Sequence, residues 1–151
     1  MPEIIPPDLS VDIDDTVIEN NGFFSDLSVN DFKSKFRVTI ADVDVICQNL
    51  ESAMYEKNTE LNAWVCKQQR AGYPTLDATL LQHPEYKHYY LTAVFAYAKG
   101  LMLQQYRDFD TSKSGHGRAD DLTLSAGDYF HQSEKNINLL ISKPNITVEL
   151  L

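Results

Sequence analysis

The chain has 151 residues, 43% of them apolar, with a formal net charge of −9 and two cysteines. That length suits one domain able to bury a core without disulfides or metals, and the acidic balance argues against nonspecific DNA binding, which needs a basic footprint. No basic-then-apolar leader opens the sequence and no apolar run approaches the roughly 20 residues of a transmembrane helix, so synthesis in a cytoplasm with no membrane partner is expected.

The charge is unevenly placed. Residues 1–26 hold Glu3, Asp8, Asp12, Asp14, Asp15, Glu19 and Asp26 without a lysine or arginine, so seven of the nine net negative charges sit there. Three of the six prolines and an Asn-Asn-Gly turn share this stretch, and no periodicity is sustained. Residues 1–27 therefore read as an irregular acidic arm, expected to be mobile in the free protein and either to act in assembly or in a DNA channel or to serve only as a solvated tail that aids solubility, with Phe23, Phe24 and Leu27 placed to anchor its end. Residues 28–151 read as a helical domain.

Ser28 followed by Asp31 predicts an N-terminal cap, and a short helix over 29–36 would bury Val29, Phe32 and Phe36. Thr39 followed by Asp42 repeats the signal. Val43, Ile46, Cys47, Leu50, Ala53, Met54, Leu61, Trp64 and Val65 then recur at helical spacing until Gly72 and Pro74. The pattern fits one helix of about thirty residues, or two with a break at Asn58-Thr59, where both residues are poor helix formers and Lys57 falls on the apolar stripe. After a polar connection, Tyr86, Tyr90, Val94, Ala98, Leu101 and Gln105 share one helical face, and Gly100 within it would let a neighbouring helix approach closely. A Ser/Gly-rich turn over 111–117 precedes a last helix, expected to start near Arg118 and to bury Ala119, Leu122, Ala126, Tyr129, Phe130, Ile137, Leu140 and Ile141. Pro144 stops it, leaving an extended tail over 145–151.

The residue chemistry points to no reaction. Cys47 and Cys66 are 19 residues apart in a helical pattern, roughly 28 Å along the axis, and read as reduced thiols. His83 and His88 have poor spacing for a metal, and Ser114-Gly115-His116-Gly117 follows a helix rather than a strand, unlike a phosphate loop. Asp14-Asp15 lies in the acidic arm and Asp120-Asp121 at a helix start, where carboxylates favour the dipole. No catalytic, cofactor-binding or metal residue is assigned, and the protein is not expected to be an enzyme.

The wording of the helices is more telling. The stretch ending in FRVT, then NTELNAW, KQQRAGYPTL, YRDFDTS and the terminal ITVELL, in this order and spacing, resembles the head completion proteins of tailed bacteriophages, the GPL family, over about residues 26–151. The resemblance implies an all-α fold, a small bundle of about four helices. It also implies a virion protein at the head–tail junction, which assembles as a ring on the portal protein after DNA packaging, offers a docking surface to a downstream neck or tail-completion protein, and lets genomic DNA pass without sequence-specific binding. A small helical cytosolic regulator or enzyme with no recognisable site is the competing reading. The four apolar residues of the tail, Ile146, Val148, Leu150 and Leu151, are costly to leave in water and should pack on the chain's own helices or on another chain; the resemblance implies the second, docking on a partner.

Overall fold

The computed structural model describes residues 15–40, 42–110 and 124–142, with the backbone alone over 107–110. These residues form a two-stranded antiparallel hairpin, β1 (Val17–Ile18) with β2 (Leu27–Ser28), and five helices: α1 (Val29–Lys35), α2 (Val43–Glu60), α3 (Asn62–Arg70), α4 (Glu85–Asp110) and α5 (Ala126–Leu140). The fold is largely helical, as expected, but the hairpin corrects the all-α expectation. It forms in the second half of the expected arm: Ile18, Phe23, Phe24 and Leu27 are all buried. Each such side chain is stabilised by roughly 1.5–3 kcal/mol on leaving water, enough to hold this segment on the helices. Residues 1–14 lie outside the described residues.

Local chemistry sets the helix boundaries. Ser28 Oγ accepts from the Asp31 amide at 3.1 Å, so α1 starts where the sequence placed it. The cap of α2 is Asp42, whose carboxylate accepts from the Asp44 amide at 3.0 Å, rather than Thr39. The long central pattern divides at Leu61, three positions beyond Asn58. The Thr59 hydroxyl donates to the Tyr55 carbonyl at 2.8 Å, a back-bond that bends helices. Amide bonds nevertheless continue through the division, from Leu61 to Lys57 and from Val65 to Leu61. Gly72, at φ +101°, ends α3 in the left-handed region that glycine tolerates. The last helix begins at Ala126, not near Arg118, because Ser125 and Asp128 form a reciprocal capping box. Ala119 and Leu122 lie outside the described residues.

Helix α4 packs between α2 and α5. Against α2 it runs antiparallel, tied by three polar contacts: Asn49 to Gln105 (3.3 Å), the Lys57 ammonium over the Tyr97 ring (4.3 Å), and Asn58 to Tyr90 (2.7 Å). Against α5 it presents small residues. The Ser133 hydroxyl donates to the Ala93 carbonyl at 2.7 Å, and a Cβ at Gly100 would lie 2.6 Å from the Phe130 ring. Glycine is therefore required there by close approach, as its position in the pattern suggested.

Candidate interaction surfaces

Asp15 and His83 make structural contacts. The Asp15 carboxylate accepts from the Ser28 hydroxyl (3.0 Å) and the Asn30 amide (3.1 Å), holding the incoming chain at the start of α1. His83 stacks on Tyr86 with ring centroids 4.4 Å apart, and its Nδ1 is 3.6 Å from Glu85. Among the described residues no group of three or more His, Cys, Asp and Glu side chains could hold a metal ion. Both cysteines are free and half-buried. Burial pushes the Cys47 thiol above its ordinary pKa, helped by Glu51 and Asp44, which disfavours a nucleophilic thiolate. Asp14, the Asp120-Asp121 pair and the Gly115–Gly117 turn lie outside the described residues, and so do the expected docking residues Ile146, Val148, Leu150 and Leu151.

Two partly buried polar arrangements fix the framework. Asn20, Asn58 and Tyr90 form a closed triangle: the Asn20 amide donates to the Tyr90 hydroxyl (3.0 Å), that hydroxyl donates to the Asn58 carbonyl (2.7 Å), and the Asn58 amide donates back to Asn20 (2.8 Å). Burial raises the Tyr90 pKa well above its ordinary value, so the hydroxyl stays protonated as a donor. Its ring stacks on Phe24 at 3.8 Å. The triangle thereby locks the hairpin onto α2 and α4. Lys57, only 5% exposed, is paired with Glu60 at 2.9 Å and covers the Tyr97 ring. Its place on the apolar stripe is thus satisfied by an ion pair and a cation–π contact.

Several large apolar side chains are exposed among the described residues. Tyr55 on the outer side of α2 is 64% exposed, Leu81 in the connection before α4 is 87% exposed, and Leu139 on α5 is 44% exposed. A groove of about 570 Å³ opens between the end of α1, α4 and the start of α5. Lys35, Arg37 and Lys99 line it together with Phe36, Leu124 and Tyr129. Half-buried Lys99 donates to the Phe36 carbonyl at 3.2 Å, and burial lowers its pKa. Sequence reasoning missed this groove. The bases at Lys33, Lys35 and Arg37 were visible as a local run, but Lys99 joins them only through the packing of α4 on α1.

The chain is identified by a match along most of its length rather than by a site. No curated protein and no solved structure matches it significantly. The family model described as phage head completion protein (GPL) matches residues 18–151, from the first buried residue of the hairpin through the last residue of the sequence, and the chain belongs to that family.

Proposed function

We propose that this protein completes the phage head after DNA packaging, as a ring on the portal that joins the head to the tail or neck and helps retain DNA. Membership of the head completion family carries the reading. A ring needs a heterologous interface, in which one patch meets a different patch on the next copy. The packing of α4 between α2 and α5 leaves two outer faces, marked by Tyr55 on one and Leu139 on the other, suited to such head-to-tail pairing. The small bundle is the ring's repeating unit. Its partners are the portal protein, further copies of itself and a downstream neck or tail-completion protein. No membrane partner is proposed, and among the described residues no helix is long and apolar enough to cross one.

The tail residues Ile146, Val148, Leu150 and Leu151 serve as a docking element, an extended apolar segment able to add a strand to a partner's sheet edge. The test is a phage carrying a stop codon in this gene. Heads should fill and then remain tailless or lose DNA. Tailed, infectious particles at normal yield would sink the proposal. Truncation after Pro144 tests the tail separately: unchanged helicity with tailless heads supports docking, and normal tail attachment refutes it.

A further inference from the structure

The groove between α1, α4 and α5 carries three cations, and among the described residues no carboxylate lines it. That is notable in a chain of net charge −9. Among the described residues neither Arg37 nor Lys99 has an ion-pair partner, while Lys35 pairs with Asp31 at 3.5 Å. Arg37 also occupies a costly position. It follows the C-cap of α1 at φ +52°, where glycine is favoured, and the Val38 amide donates to the Lys33 carbonyl at 3.0 Å across it. A non-glycine residue held there costs of order 1–3 kcal/mol, so an arginine in this place points to a use for its side chain. The groove is also partly apolar, through Phe36, Leu124 and Tyr129.

Its occupant should be acidic on one side and apolar on the other. Residues 8–14 read Asp-Leu-Ser-Val-Asp-Ile-Asp, and this short stretch alternates strictly. Extended, it would set Asp8, Ser10, Asp12 and Asp14 on one face and Leu9, Val11 and Ile13 on the other. The reach is ample. Asp15 is held at the start of α1, and the groove lies at the other end of that helix. Seven helical residues span about 10 Å, whereas seven extended residues span about 23 Å. We propose that the basic groove is the seat of the chain's own acidic segment, residues 8–14, in the free protein, with carboxylates on Lys35, Arg37 and Lys99 and the apolar alternates against Phe36, Leu124 and Tyr129. Residues 111–123 also adjoin the groove in sequence, but their two acids are balanced by two bases. A second copy's arm has the same chemistry, yet a tether this short gives the chain's own arm an effective concentration in the millimolar range. The proposal concerns the free protein, replaces the expectation of a mobile arm for residues 8–14, and stands apart from the ring.

Zero-length carbodiimide coupling, which joins a lysine amine to a carboxylate in contact with it, tests this on the full-length chain. An equal mixture of light and heavy-isotope protein is coupled, digested and read by mass spectrometry, with the Lys35–Asp31 pair as internal standard. The expected result is an amide between Lys35 or Lys99 and Asp8, Asp12 or Asp14, in light–light and heavy–heavy pairs only. Its yield should fall several-fold in 1 M salt, where the Debye length is about 3 Å. It should also fall several-fold in a Leu9→Ser, Val11→Ser, Ile13→Ser variant, which keeps every charge. Light–heavy pairs would assign the groove to a second copy and overturn the proposal. So would coupling of these lysines to Asp120 or Asp121 instead, or standard coupling with no arm product. An arm product indifferent to the apolar substitutions would reduce the contact to diffuse attraction and equally overturn it.

Discussion

Substituting Gly100 by alanine sets two effects of opposite sign against each other. In the middle of α4, alanine should gain about 1 kcal/mol of helix propensity. The added Cβ, however, would meet Phe130 Cε1 at 2.6 Å and Cδ1 at 2.8 Å, so the ring must retreat to at least 3.4 Å. It cannot retreat freely, because it packs on Tyr97 at 5.0 Å between centroids, and Tyr97 in turn lies under the Lys57 ammonium. Overpacking of this kind costs about 1–3 kcal/mol, which outweighs the propensity gain. Gly100→Ala should therefore destabilise the protein by about 1 kcal/mol in urea denaturation followed by circular dichroism. In a Phe130→Leu background the obstruction is gone, and the same substitution should raise stability by up to about 1 kcal/mol. The coupling between the two positions should thus reach about 1–3 kcal/mol. Stabilisation of the otherwise unchanged protein by Gly100→Ala, or additivity within about 0.5 kcal/mol, would refute the close approach of α4 and α5.

Tyr90→Phe should cost about 1–2 kcal/mol in the same assay, since it leaves the Asn20 donor and the Asn58 acceptor without their partner; an unchanged midpoint would count against the triangle. Lys57→Met should be neutral within about 1 kcal/mol, because an apolar side chain can replace a buried ion pair, whereas Lys57→Glu should cost more than about 2 kcal/mol by facing Glu60 in a buried place. Ser125→Ala should cost about 1 kcal/mol through the lost cap. Asp128 is held below the usual carboxylate range, chiefly by the Ser125 backbone amide and then by its hydroxyl. A depressed folded pKa gives stability that is present above the unfolded value near 4 and is lost as pH falls through the folded one. The Ser125→Ala variant keeps the backbone amide and removes only the hydroxyl's share, so it should show a slightly shallower loss of stability below about pH 4, measured by acid titration. Cys47 should alkylate more slowly than a free thiol at neutral pH, read by mass spectrometry with peptide mapping.

The elements legible in the sequence were those written in local chemistry. The Ser28 cap, the stripe from Ile46 to Val65, the Gly72 stop and the role of Gly100 needed only neighbouring residues. The start of the last helix was misplaced because its capping box uses Asp128 where glutamate or glutamine is the usual signal. The hairpin was missed because strands of two residues are too short to show alternation, and its hold on the bundle runs through Asn20 to a tyrosine seventy residues away. The basic groove was illegible for the same reason, since Lys99 reaches Phe36 across 63 residues. Function was legible only as family wording, in the order and spacing of stretches such as NTELNAW and KQQRAGYPTL, and the family match over residues 18–151 bears that wording out.

Native mass spectrometry of purified portal oligomers mixed with the full-length protein tests the central claim most directly. The account predicts a single heavier species carrying a fixed set of several copies of this chain per portal oligomer, as a closed ring requires. A portal mass unchanged under excess protein, or a variable number of loosely added copies, would contradict it.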